Sequence, residues 1–175
     1  QSFKFSCLIP TWNRAAKLKR LLAVIQGEIV TSCLQEQIEV LVSDNASSDN
    51  TSSIASEFKD SNFSLKYYRQ PENLGFDNNV NFLYEQAKSK YIWYMSDDDL
   101  PLSGAISLIL KSLLENNPDV LLFSFIQPPG SKIKTFNFPS DIEIIESIPD
   151  IIQLICKYPK ISIFVLRKIF YHLLA

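Results

Sequence analysis

The stretch "IEVLVSDNASSDNT", residues 38–51, joins a nearly continuous aliphatic run to a short polar turn. A strand buried on both faces of a sheet has this composition, because neither of its sides faces water. The turn is rich in Ser, Asn and Asp, and Asp49 or Asn50 can cap a helix that continues through Phe58. A buried strand followed at once by a helix is typical of an α/β protein.

Strand and helix alternate on both sides of this stretch. Upstream, a strand over residues 3–9 is closed by Pro10, and Asn13 can cap the next helix. Downstream, strands are predicted over residues 65–68, 91–95 and 120–126. Three helices show apolar residues at helical spacing: Leu18, Leu21, Leu22, Ile25 and Ile29; Phe76, Val80, Leu83 and Ala87; Ile106, Ile109, Leu110, Leu113 and Leu114.

Four such alternations with short connections predict a mostly parallel sheet flanked by helices. We assign residues 1–126 to this α/β half and residues 127–175 to the start of a second half. In that second half the pattern is looser, with a helix predicted over 148–158 and a strand over 161–166. Because the last helical pattern stops with the chain, we expect a fragment of a longer protein, truncated at its C-terminus.

Composition narrows the function classes. The 175-residue chain has a formal net charge of -2 and no dense basic stripe, which argues against nucleic acid as a partner. Its short basic clusters are interpreted as solvated faces: Lys17, Lys19 and Arg20; Lys132 and Lys134. Three widely spaced cysteines, Cys7, Cys33 and Cys156, fit a reducing cytosol.

Membrane segments are not expected. No signal peptide opens the chain, and the longest apolar runs are far shorter than the roughly 20 residues of a spanning helix. We therefore expect a cytoplasmic protein without a transmembrane segment, and peripheral contact with the inner face of the cell membrane stays open.

Three polar clusters each follow a predicted strand: Pro10 with Thr11, Asp44 with Asn45, and the run Asp97, Asp98 and Asp99. The carboxyl ends of parallel strands share one edge of the sheet, where ligands bind. We therefore expect the clusters to converge there.

Each cluster has a functional and a structural interpretation. The carboxylates suit Mg²⁺ or Mn²⁺ holding a diphosphate, or they cap a helix that begins near Ser103. Asp44 accepts a hydrogen bond from a pyrimidine edge, or it forms an Asx turn. The Thr11 hydroxyl and the Trp12 ring flank that base, or Trp12 packs in the core.

Asn73, Gly75 and Asn81 surround the start of the third helix, whose free N–H groups can face a phosphate. Stabilisation of the helix and turn explains these residues equally well. His172, the only histidine, is interpreted as structural, and nothing supports a Ser-His-Asp triad or a zinc site.

Four segments together resemble the successive motifs of family 2 glycosyltransferases with a GT-A fold. They are "LIPTWNRAAKLKRLL" at 8–22, "EVLVSDNASSDNT" at 39–51, "NLGFDNNVN" at 73–81 and "YIWYMSDDDLP" at 91–101. The wording is most similar to the branch with abequosyltransferase-like enzymes of O-antigen and polysaccharide assembly. "ISIFVLRKIF" at 161–170 also resembles a later segment of that branch.

The resemblance implies inverting transfer of a sugar from a nucleoside-diphosphate sugar to a glycan or lipid-linked acceptor. It implies that Pro10, Thr11, Trp12 and Asp44 bind base and ribose, and that Asp97 touches the ribose or donor sugar. Asp98 would ligate Mn²⁺ or Mg²⁺, with Asp99 second, although strand alternation alone would pair Asp97 with Asp99.

The resemblance supplies no catalytic base. In the family that carboxylate lies well downstream, past Ala175, whereas Asp141, Glu143 and Glu146 come too early. A nucleotidyltransferase and a non-catalytic nucleotide-sugar or glycan-binding module stay as alternatives. A Rossmann dehydrogenase is disfavoured because the chain has no G-x-G-x-x-G.

Overall fold

The computed structural model describes residues 3–59, 62–122 and 164–167. Strands and helices alternate through most of these residues. The strands are β1 (Phe5–Thr11), β2 (Ile38–Asp44), β3 (Ser64–Arg69), β4 (Tyr91–Tyr94), β5 (Val120–Leu122) and β6 (Phe164–Arg167). The helices are α1 (Ala15–Thr31), α2 (Thr51–Glu57), α3 (Phe76–Gln86) and α4 (Ala105–Asn116).

The six strands form one sheet in the order β3-β2-β1-β4-β6-β5. The pairs among β1 to β4 are parallel, and β6 runs antiparallel to both β4 and β5. The predicted mostly parallel sheet is therefore confirmed. From β1 the chain moves outward to β2 and β3 and then returns to place β4 on the other side of β1. The strand order reverses between β1 and β4, and such a switch point opens a crevice at the carboxyl ends of the strands.

Two apolar clusters hold helices against the sheet. All five predicted core residues of α1 are fully buried, which confirms its helical spacing. Two other predicted core residues are exposed, Phe76 at 60% and Leu114 at 53%. Successive helical residues turn by about 100°, so Leu113 takes the core position and Leu114 does not. Phe76 is the first residue of α3, one turn before the buried Val80.

The start of the chain differs from the prediction at two residues. Pro10 does not close β1 but lies inside it, opposite Ser43 of β2. Strand alternation turns its nitrogen to the side of Leu8, whose carbonyl accepts the N–H of Met95. Because β4 has ended at that level, no ladder hydrogen bond is lost. Asn13 does not cap α1, since its Oδ1 accepts the backbone N–H of Ser48 at 2.7 Å.

Several predictions lie partly or wholly outside the described residues. The strand predicted over 161–166 is described at 164–167 as β6, which joins the same sheet. The division near residue 126 and the helix over 148–158 lie outside, as do seven residues considered above: Lys132, Lys134, Asp141, Glu143, Glu146, Cys156 and His172. Within the described ranges, no helix is both long and apolar enough to cross a membrane.

Candidate functional site

The carboxyl ends of β1 and β4 meet through one side-chain hydrogen bond. Thr11, the last residue of β1, donates its hydroxyl to Asp97 Oδ2 at 2.8 Å, and both residues are 3% exposed. The end of β2 joins them, because the backbone N–H of Asn45 donates to the carbonyl of Thr11 at 3.0 Å. The three predicted polar clusters therefore meet at one edge, at the switch point between β1 and β4.

Arg14 completes the environment of Asp97. Its Nη1 donates to Asp97 Oδ1 at 2.8 Å, so both oxygens of this buried carboxylate have protein partners. The hydrogen bond to Asp97 and its negative charge raise the pKa of Arg14 above its ordinary value. Sequence reasoning missed Arg14. The available signal was a cation at the start of a helix, where the helix dipole favours an anion.

Asp98 points outward instead of into the protein. A turn closed by the N–H of Asp99 on the carbonyl of Ser96 follows β4, and it breaks the strand alternation that would pair Asp97 with Asp99. Asp98 Oδ2 lies 3.4 Å from Lys17 Nζ and 3.5 Å from Arg14 Nη1. The Ser96 hydroxyl, which donates to Asp98 Oδ1, lowers the pKa of Asp98, and the two cations add to this effect against partial burial.

Two structural interpretations concern the neighbours of these carboxylates. Lys17, Lys19 and Arg20 are all exposed, as predicted for a solvated face, and Lys17 also forms an ion pair with Asp98. The helix after the aspartates begins at Ala105, two residues from the predicted Ser103, and its N-cap residue Gly104 makes no side-chain cap hydrogen bond. The N–H of Ile106 in its first turn donates to Glu28 Oε1 at 2.7 Å, so that cap comes from α1.

Asp44 is the fully buried last residue of β2. Its Oδ1 accepts the N–H of Ser47 at 2.8 Å, which confirms the turn interpretation. Its Oδ2 accepts the Tyr67 hydroxyl at 2.5 Å and Arg69 Nη1 at 3.2 Å. Burial and the hydrogen bond to Asp44 raise the pKa of Tyr67 above its ordinary value. Sequence reasoning missed Tyr67 and Arg69. They lie two residues apart on β3, next to β2, so their side chains are on the same face of the sheet.

The loop before α3 is held by Asn45. Its Nδ2 donates to Asn73 Oδ1 at 2.8 Å and to the carbonyl of Gly75 at 3.2 Å. The N–H of Gly75 donates to Asn73 Oδ1 at 2.9 Å, so these residues stabilise the turn, as the structural interpretation predicts. Gly75 has φ +81°, a backbone conformation that glycine adopts without strain. Contact with a phosphate stays a prediction.

Trp12 lies on the surface beside this edge. Its exposed fraction is 52%, so it is not a core packing residue. A half-exposed indole next to a strand end offers a flat face for stacking. In the part of the chain that the structure describes, no group of three or more His, Cys, Asp or Glu is arranged to hold a metal ion.

The chain matches the family described as Glycosyl transferase family 2 over residues 6–171. The chain belongs to this family. A GalNAc(5)-diNAcBac-PP-undecaprenol beta-1,3-glucosyltransferase of Campylobacter jejuni is 30% identical over 135 residues, which are 77% of this chain and 42% of that protein. An abequosyltransferase of Salmonella typhimurium is 32% identical over 118 residues, 67% of this chain and 34% of that protein.

Solved glycosyltransferase structures share the fold. Residues 1–349 of Staphylococcus aureus TarS, solved with UDP-GlcNAc, superpose with a TM-score of 0.80 at 20% identity, covering 97% of this chain and 47% of that chain. The mannosyltransferase PcManGT of Pyrobaculum calidifontis, solved with GDP-Man and Mn²⁺, superposes with a TM-score of 0.60 at 20% identity. The match covers 70% of this chain and 36% of the PcManGT chain. The GT-A fold is therefore confirmed, and this family 2 chain spans less than half of each of these four proteins.

Proposed function

We propose that the crevice between β1 and β4 binds the nucleotide-sugar donor of a glycosyltransferase. The observation that carries this proposal is the Thr11–Asp97–Arg14 network, which fixes a buried carboxylate at the switch point of the sheet. The residues proposed to bind the donor are Pro10, Thr11, Trp12, Asp44, Asn73, Gly75 and Asp97.

The base of the donor is proposed to be a pyrimidine stacked on Trp12 and hydrogen-bonded to Asp44. Asp44 already accepts three hydrogen bonds, and a carboxylate has about four acceptor sites, which leaves one. Since Asp44 is fully buried, a base reaches it only when a neighbouring side chain moves. Arg69 makes the longest of the three contacts, at 3.2 Å, and is 47% exposed, so it is the side chain that turns away.

A divalent cation, Mn²⁺ or Mg²⁺, is proposed to bind at Asp98, with Asp99 as a second ligand. Hard cations take carboxylate oxygens, and Mg²⁺ is commonly held by one or two carboxylates plus substrate phosphates. The Asp98 side chain is 44% exposed, so a cation can reach its carboxylate, where it has to compete with Arg14 and Lys17. When bound, the metal neutralises the diphosphate leaving group. Arg14 and Thr11 meanwhile hold Asp97 in place beside the donor.

The reaction is proposed to be an inverting transfer to a glycan or lipid-linked acceptor, in the cytoplasm or at the inner face of the membrane. Support comes from two relatives. The Campylobacter jejuni protein is a glucosyltransferase named for an undecaprenol-linked glycan, and the Salmonella typhimurium protein is an abequosyltransferase. Family membership favours transfer over nucleotidyl transfer or simple binding.

Base choice is tested by thermal shift with UDP, CDP, ADP and GDP in the presence of Mn²⁺. A ligand that binds the folded state raises stability by RT ln(1 + [L]/Kd), so the pyrimidine nucleotides should raise the melting temperature more at equal concentration. Because Trp12 is exposed, two matched variants can be compared. Trp12→Ala should weaken the binding of every nucleotide, and Trp12→Phe should retain most of the binding. GDP-Man accompanies PcManGT on the same fold, so the opposite result is a real outcome. A larger shift with ADP or GDP would contradict the role of Asp44.

A further inference from the structure

Two cations lie at the start of α1, where the helix dipole disfavours them. Arg14 is the N-cap residue, Lys17 lies in the first turn, and that turn contains no acidic residue. Compensating negative charge comes from elsewhere in the chain, as Asp97 and Asp98 after β4. Sequences that break a local rule at positions with distant compensation commonly do so for function.

The two cations are held differently. Arg14 donates at 2.8 Å to Asp97, whose side chain is 3% exposed, so this pair is partly shielded from solvent. Lys17 lies 3.4 Å from Asp98, and the two side chains are 52% and 44% exposed. Solvent-exposed ion pairs of this kind contribute little to stability and are screened by salt. The Lys17–Asp98 pair is therefore the one that can exchange.

We propose that Lys17 is an exchangeable counter-ion for Asp98, which its ammonium neutralises until a divalent cation displaces it, while Arg14 stays on Asp97. The inference rests on the metal site in the proposed function and assigns the metal to Asp98. Asp97 Oδ1 and Oδ2 are both engaged, whereas the contacts of Asp98 Oδ2 with cations of the described residues are longer, at 3.4 and 3.5 Å. An ammonium and a divalent cation repel each other at one oxygen, so the two compete.

The competition is measured as Mn²⁺ affinity of the nucleotide-free protein, by electron paramagnetic resonance of free Mn²⁺ at low ionic strength. Lys17→Gln removes the competing ammonium and should bind Mn²⁺ about two- to fivefold more tightly than the wild type. Lys17→Arg should stay close to the wild type. Lys19→Gln is the matched control, because Lys19 is similarly exposed on α1 but pairs with Glu57 at 2.6 Å. Equal affinities for the two Gln variants would overturn the proposal.

Asp98→Asn separates this inference from the metal site on which it rests. Loss of Mn²⁺ binding in Asp98→Asn, together with tighter binding in Lys17→Gln, supports both. Loss in Asp98→Asn without any difference between Lys17→Gln and Lys19→Gln overturns the exchange alone. Mn²⁺ binding that survives in Asp98→Asn overturns both, and circular dichroism of each variant confirms that the fold is retained.

Discussion

Among single residues, Glu39 explains how a charge fits into the strand of the opening stretch. It lies in β2 with no exposed surface. Its carboxylate accepts the Ser6 hydroxyl at 2.6 Å, Lys66 Nζ at 3.0 Å and the Lys88 N–H at 3.1 Å. Burial raises the pKa of Glu39, but these hydrogen bonds outweigh burial and lower the pKa below its ordinary value. The charge is tolerated because it is well paired.

Replacing Glu39 by Gln should therefore lower the free energy of unfolding by about 2 to 3 kcal/mol near pH 7, since charge-assisted hydrogen bonds are lost. A lowered folded-state pKa means that the stabilisation is complete above the unfolded pKa and is lost as pH falls through the folded pKa. The difference between wild type and Glu39→Gln should thus shrink below the ordinary value of 4.5. Urea unfolding at several pH values measures it.

Glu36 provides the control for Glu39. It is exposed in the turn before β2, so Glu36→Gln should change the unfolding free energy little at any pH. If the difference in unfolding free energy between wild type and Glu39→Gln is the same at neutral and acidic pH, the Glu39 charge does not stabilise the fold.

At the scale of secondary structure, one carboxylate connects two helix starts. Asp49 Oδ2 accepts the N–H of Ala15 at 3.0 Å in α1, and Oδ1 accepts the N–H of Thr51 at 3.0 Å in α2. These hydrogen bonds lower the pKa of Asp49, more than offsetting its slight burial. The first turn of α1 carries Lys17, so Asp49 fixes a helix that contributes to the candidate site.

Asp49→Ala should remove both caps and destabilise the protein by about 1 to 2 kcal/mol. Asp49→Asn should lower the stability by about half as much. The two helices use both carboxylate oxygens of Asp49, and an asparagine amide keeps one acceptor oxygen. Asn50→Ala is the control: Asn50 is the N-cap residue of α2 but makes no side-chain cap hydrogen bond. Thermal unfolding measures all three variants, and an Asp49→Asn protein as stable as the wild type would contradict the shared-cap description.

Helices were predictable where apolar spacing is strong, and their ends were less so. The α1 stripe follows from repetition at helical spacing, which one buried face imposes. Asn13 carries the same capping chemistry as Asp49, and only the folded loop decides that Asn13 bonds Ser48 instead. Pro10, which has no N–H, fits inside β1 because β4 pairs with β1 only as far as Leu8, and that limit is set by the neighbouring strand.

For the whole molecule, the position of the site was predictable but its charge balance was not. Parallel strands bring their carboxyl ends to one edge, so Thr11, Asp44 and Asp97 could be placed together from sequence. The partners of these residues are contacts between distant segments without periodic spacing: Arg14 on Asp97, and Tyr67 and Arg69 on Asp44. No sequence pattern specifies such pairs.

At the β1–β4 edge, a nucleoside diphosphate is proposed to bind through a cation held by Asp98. Titration calorimetry of UDP, with Mn²⁺ and with EDTA, tests it on the wild type, Asp98→Asn and a Glu115→Gln control in α4. The wild type and the control should bind UDP at least about tenfold more tightly with Mn²⁺ than with EDTA, equivalent to about 1.4 kcal/mol. Asp98→Asn should bind UDP equally weakly in both conditions. Equal wild-type affinity with and without Mn²⁺, or a metal effect that survives in Asp98→Asn, would contradict it.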